Sequence, residues 1–168
     1  MKKSVFICLF AVFCFQFFGM NISVSAISKS QEKAITDYCV EIKDNLKNLQ
    51  KTDARARVYL GGYYESILSK FITPLNVRLV ENNLSNADSV ENQNDFADAK
   101  TLFSNDFISY QQNLEELVGM DCADKPGEFY EKLVKVRQKR KIVEQDVLRI
   151  RNLISAHIKL VNQLKGKL

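Results

Sequence analysis

Residues 30–71 read SQEKAITDYCVEIKDNLKNLQKTDARARVYLGGYYESILSKF. Taken in steps of three and four they give Ile35, Cys39, Ile42, Leu46, Leu49, Asp53, Ala56, Leu60, Tyr63, Ile67 and Phe71. Residues so spaced share one helix face, so the stretch predicts one long helix. Thr52 or Asp53 offers a cap for a second helix, but the period passes from Leu49 to Leu60 without a slip. Gly61-Gly62 weakens the helix by about 1 kcal/mol per glycine relative to alanine. Set among Tyr59, Tyr63 and Tyr64, the pair predicts close approach of a neighbouring helix, with a bend or a groove as the other readings.

The rest of the chain keeps the helical interval. Thr73-Pro74 predicts the end of the long helix, because the residue before proline is pushed out of the helical region. Pro74 then opens a short helix through Leu75, Leu79, Val80 and Leu84. Residues 82–94, rich in Asn, Ser and Asp, read as the main loop. They include the sequon-like Asn83-Leu84-Ser85, to which we give no weight. A helix from about Gln93 to Val118 carries Phe96, Ala99, Phe103, Phe107, Tyr110, Leu114 and Leu117 on one seam, and Gly119 stops it. Pro126 opens a last helix with Phe129, Leu133, Val136, Arg140, Val143, Val147, Ile150, Ile154, His157, Val161 and Leu164 in step. The fold class is therefore all-α: an antiparallel three-helix, coiled-coil-like bundle with a short extra helix after Pro74.

The first 26 residues stand apart. Lys2 and Lys3 precede an apolar run from Val5 to Phe18, and Val24-Ser25-Ala26 supplies small residues for cleavage before Ile27. This predicts a signal peptide over 1–26 and a single domain over 27–168, in an extracytoplasmic location (secreted, periplasmic or cell envelope). The competing reading is an uncleaved anchor over residues 5–26. Without the leader, Cys39 and Cys122 are the two cysteines left, which favours a disulfide in an oxidising compartment over two buried thiols. Helix lengths agree with it. The long helix descends about 48 Å from Cys39 to Phe71; the next returns about 39 Å, and the link to Cys122 adds about 13 Å.

Charge narrows the classes of partner. Removing Lys2 and Lys3 from 24 basic residues leaves 22 against 20 acidic, so no nucleic acid is expected. Residues 27–124 carry 10 basic and 16 acidic groups, and residues 125–168 carry 12 and 4, which predicts an acidic region packed beside a basic one. Lys135, Arg137, Lys139, Arg140 and Lys141 form a candidate anion-binding surface, for an anionic envelope polymer, lipid head groups or an acidic protein; the plainer reading is a solvated helix. Asp53, Arg57, Tyr64 and Glu65, with Arg140 opposite them on the seam of the last helix, form a candidate polar network, either a register-fixing core group or a small-ligand pocket near Gly61. His157 is the single histidine and predicts a core or boundary residue. There is no nucleophile-turn motif and no glycine-rich phosphate loop, so neither catalytic residues, metal nor cofactor are expected.

Cys39-x-x-Ile42, Asp53-x-Arg55-x-Arg57, Phe71-x-x-Pro74-Leu75-Asn76-x-Arg78-Leu79, Asp121-Cys122 and Phe129-Tyr130 follow one another in order. In this the chain resembles a group of uncharacterised small secreted helical proteins from reduced-genome candidate-phyla bacteria. The resemblance spans nearly all of residues 27–168 and implies no activity and no functional residues. The expectation is an exported, non-enzymatic bundle binding another protein or an anionic envelope surface, with self-association as a further outcome of its long seams. The alternative is a membrane-anchored structural or assembly component with its leader retained. A small-ligand carrier or enzyme ranks last.

Overall fold

The computed structural model describes residues 27–84 and 87–165. The leader, and Ser85 of the sequon-like triplet, lie outside the described residues. All regular structure described is helical: α1 (Lys29–Asp37), α2 (Cys39–Ile67), a π-helical turn (Leu68–Ile72), α3 (Thr73–Glu81), α4 (Ala87–Gly119) and α5 (Pro126–Lys165).

α1 begins with a reciprocal cap. Gln31 N–H donates to Ser28 Oγ at 3.3 Å, and Ser28 N–H donates to Gln31 Oε1 at 3.0 Å, satisfying two donors the first turn cannot pair internally. At Tyr38 (φ −108, ψ 17) the backbone leaves ideal helix for one residue. Hydrogen bonds still bridge the joint, Tyr38 N–H to Ala34 O at 3.0 Å and Ile42 N–H to Tyr38 O at 2.9 Å. α2 then runs through Thr52 without a hairpin.

The predicted end at Thr73-Pro74 does not occur. Thr73 N–H reaches back to Leu68 O, widening the last turn into a π-helix, and α3 continues from it with Pro74 in its first turn. A π-turn releases the tight i→i−4 ladder just where proline has no N–H to give it. The buried face also moves. From Leu60 the chain steps by four, to Tyr64, Leu68 and Ile72, so Tyr64 and Ile72 are buried while Tyr63 and Phe71 are exposed. Tyr64 there meets Phe103 on α4 edge-on, with ring centroids 5.3 Å apart.

α3 ends in a Schellman motif. Leu84 N–H donates to Leu79 O at 2.8 Å and Asn83 N–H to Val80 O at 3.1 Å, with Asn83 at φ 57, a conformation asparagine tolerates better than most residues. The polar stretch after it is not a long loop: α4 starts at Ala87, six residues before the expected Gln93. Ser89 and Asn92 are buried in it.

α4 is the central helix. It packs most extensively on α5 and next on α2. Both neighbours run antiparallel to it, as the pairs Arg57–Gln111 and Glu65–Lys100 (α2 to α4) and Lys132–Glu116 and Asn92–Leu153 (α5 to α4) require. Its seam of Phe96, Ala99, Phe103, Phe107, Tyr110, Leu114 and Leu117 is buried as expected and forms the middle of the core. The Cys39–Cys122 disulfide joins the start of α2 to the α4–α5 link, with Cα atoms 5.5 Å apart and a sequence separation of 83. A tie of that span removes about 4 kcal/mol of unfolded-state entropy in the chain-entropy model.

Gly61 and Gly62 do not sit against a neighbouring helix. A Cβ at either would meet no atom within 4 Å, so the expected close approach is absent. The pair therefore costs helix propensity with no packing return. Gly61→Ala and Gly62→Ala are expected to raise stability by about 0.5–1 kcal/mol each. Urea midpoints checked with a constant slope test this; a loss at either position would mean that the glycine serves a contact or bend.

Candidate functional site: the groove between α2 and α5

α2 and α5 lie on the same side of α4 and run parallel, yet scarcely touch each other. α1 leans on the start of α5. Below that contact the two long helices part, and a groove opens between them. Asp53 on α2 lies level with Arg140 on α5, an offset of 87 residues. The same offset sets Leu60 level with Val147, Ile67 with Ile154 and Phe71 with Ile158, and each of these pairs shares a cavity wall.

The upper part is a cavity of about 370 Å³ walled mainly by Ala56, Leu60, Phe107, Val143, Val147 and Leu148, with Asp53, Tyr110 and Arg140 at one end. The lower part, about 420 Å³, lies between Tyr63, Ile67 and Phe71 on one side and Ile154, Ile158 and Val161 on the other, with His157 and Lys165 in its lining. Exposed apolar side chains rim it: Tyr63, Phe71, Leu148 and Ile158, with Tyr59 stacked parallel on Tyr63 at 6.5 Å.

The polar end is built from three helices. Tyr110 Oη donates to Asp53 Oδ2 at 2.7 Å, and Arg140 Nε donates to the same oxygen at 3.2 Å. Arg140 Nη1 also lies 3.6 Å from Glu144. Burial first, then the hydrogen bond to the Asp53 carboxylate, pushes the Tyr110 phenol well above its usual range, so Tyr110 is a fixed donor. The hydrogen bond to Asp53 raises Arg140 further still, against the opposing effect of burial.

The expected Asp53–Arg57–Tyr64–Glu65 network is not formed. These residues project at different angles and find separate partners on α4 and α5. Asp53 takes Tyr110 and Arg140; Arg57 donates to Gln111 at 3.1 Å; Tyr64 packs on Phe103; Glu65 pairs with Lys100. Arg57, Gly61, Glu65 and Lys100 line a separate hollow of about 580 Å³ between α2 and α4, near Gly61 as the small-ligand reading placed it and away from Asp53. The sequence signal that was missed is Tyr110, an aromatic seam position whose hydroxyl sits level with a seam aspartate.

The five cations do not make one face. Lys135 adds to the field at Glu116 on α4, and Lys139 follows one turn on. Arg137 and Lys141 share the outward face, and Arg140 points towards α2. Lys135, Arg137, Lys139 and Lys141 form no ion pair among the described residues. Lys132, outside the expected set, pairs with Glu116 and holds its carboxyl below the usual range. The acidic and basic regions thus meet at Lys132–Glu116 and Arg140–Asp53.

A second polar group lies where α3, α4 and α5 meet, within the stretch read as loop. Asn76 Nδ2 donates to Ser89 O at 3.0 Å and Gln93 Oε1 at 2.7 Å, and Ser89 Oγ donates back to Asn76 Oδ1. Asn92 Nδ2 donates to Leu153 O at 3.2 Å. Asn92 Oδ1 and His157 Nδ1 are buried with no hydrogen-bond partner among the described residues. His157 is a core residue, and burial lowers its pKa. Among the described residues no three His, Cys, Asp or Glu side chains are grouped to hold a metal ion, and no helix is long and apolar enough to cross a membrane. No family model, curated protein or solved structure matches the chain.

Two measurements check these groups. Tyr110→Phe leaves buried Asp53 with one donor and is expected to cost about 1–2 kcal/mol. Arg140→Met, at a half-exposed guanidinium, should cost less than about 1 kcal/mol. Urea denaturation of both and of the double variant checks the order; a neutral Tyr110→Phe would refute the node. At His157 the folded state binds its proton only below the unfolded value of about 6.5. Stability is therefore whole above that pH and declines as pH falls towards the lowered folded pKa, by at most about 1.4 kcal/mol per pH unit. The gap in stability between wild type and His157→Gln should narrow over that window, and a gap independent of pH contradicts this.

Proposed function

We propose that the protein is an exported, non-enzymatic antiparallel three-helix bundle that binds a protein partner on its α2–α5 face. The observation that carries this reading is the apolar groove, rimmed by Tyr63, Phe71, Leu148 and Ile158 on a scaffold closed by the Cys39–Cys122 disulfide. Contiguous exposed apolar rows of this kind are where soluble proteins meet partners, because monomers seldom keep patches above a few hundred Å². The disulfide supports export, since such bonds persist in oxidising compartments.

A second reading has its own observation. Lys135, Arg137, Lys139 and Lys141, without ion-pair partners among the described residues, would suit an anionic envelope polymer or lipid head groups. A retained leader would make the same bundle an anchored assembly component.

The test uses protein produced from the full-length chain and recovered after export. Mass spectrometry should find Ile27 at its N-terminus, and alkylation should find no free thiol. Tyr63→Ser with Ile158→Ser should abolish capture of the partner from envelope extract, while Arg137→Glu with Lys141→Glu should leave it unchanged. Free thiols in that protein would remove the disulfide as support for export, and a chain that is not recovered after export would overturn the export half. Loss of binding on charge reversal alone would move the site to α5's outward face.

A further inference from the structure

We infer that the occupant of the α2–α5 groove is a second copy of the chain, docked antiparallel about a two-fold axis near Ile67 and Ile154. This rests on the reading of that face as a protein-binding surface and names its partner.

Area is the first argument. Tyr59, Tyr63, Phe71, Leu148 and Ile158 are 72%, 48%, 63%, 55% and 54% exposed. For side chains of this size the row amounts to roughly 600 Å². Stable interfaces bury about 800 Å² per partner. The row supplies most of that, and the groove walls add the remainder.

Self-complementarity is the second. A two-fold contact brings the same patch of both copies together, so the patch must match its own reverse. Four residues before the proposed axis lies Tyr63, and four after it lie Phe71 on the same strip and Ile158 level with it. Reversal therefore sets Tyr63 of each copy over Phe71 and Ile158 of the other, ring and branched chain against ring. Polar ends match in the same way. Glu144 lies ten residues before Ile154 with its side chain 62% exposed, and exposed Lys165 lies eleven after it. At 1.5 Å per residue each sits within about 2 Å of the same distance from the axis, so Glu144 of one copy meets Lys165 of the other at both ends.

The exported protein is measured by sedimentation equilibrium and light scattering. Twice the mass of the chain is expected. Ile158→Asp should give a monomer with unchanged helical circular dichroism, since the side chain is exposed. Glu144→Lys alone and Lys165→Glu alone should each weaken the dimer about tenfold or more, and the two together should restore it. A wild-type monomer at about 100 μM overturns the inference; so does a dimer indifferent to Ile158→Asp, or a charge swap that fails to restore. If the monomer nonetheless captures a different protein through Tyr63 and Ile158, the proposed function stands and this inference falls. If the thiols are free and the leader is retained, the proposed function fails whatever the mass.

Discussion

The bulk of the rings on α4 is the constraint from which the rest of the structure follows. Tyr64, Phe103, Phe107 and Tyr110 form a chain of edge-to-face contacts, with centroids 5.3, 5.5 and 5.8 Å apart. Aromatic pairs prefer this geometry, and each ring fills more width than an aliphatic side chain. A seam of that width on one helix accommodates two neighbours side by side, but it holds their axes apart. α2 and α5 both bury side chains against this seam, and the groove between them stays open, rimmed by Tyr63, Phe71, Leu148 and Ile158.

Three ties at three heights keep the helices in register around that seam. The disulfide binds the upper end, the Tyr110–Asp53–Arg140 node the middle, and the Asn76–Ser89–Gln93 group the lower end. They differ in kind. The covalent tie acts through the unfolded chain. The polar ties act by exclusion: sliding a helix by one turn would strand a buried carboxylate or amide without a partner, at a cost larger than the bond's net worth. Long apolar seams are permissive about register, and such groups remove the freedom.

Much of this was legible in the residues. The helical period, the unbroken run through Thr52, the α4 seam and the Cys39–Cys122 pair all rest on spacing, and spacing is a local property that survives folding. What was not legible depends on a neighbour. The move of the buried face to Tyr64 and Ile72 brings Tyr64 against Phe103, thirty-nine residues beyond it in the chain. The π-turn that carries the chain past Pro74 defeats a rule about proline in a regular ladder. The stretch around Ser89, Asn92 and Gln93 looks like loop because its composition is polar, yet its polar groups are buried against Asn76 and Leu153. Asp53, Arg57, Tyr64 and Glu65 are close in sequence, but each is claimed by a different helix partner. Proximity along a helix says little about who bonds to whom across it.

The same logic weighs the two surfaces of α5. Cations placed within seven residues sit at 100° steps, so the run spreads around the helix and leaves Arg137 and Lys141 together on the outward face. An exposed pair of that kind contributes under about 1 kcal/mol per contact and is screened by salt within about 8 Å. The apolar row, at about 25 cal/mol per Å² over roughly 600 Å², offers on the order of 15 kcal/mol before the costs of association. Those costs take 4–15 kcal/mol or more, so either surface alone could fail to hold a partner. Buried area does not convert directly into affinity, so the row sets an upper bound and the fit of the facing surface decides how much of it is realised. The comparison ranks the apolar row above the exposed cations as a source of driving force on this side of the bundle.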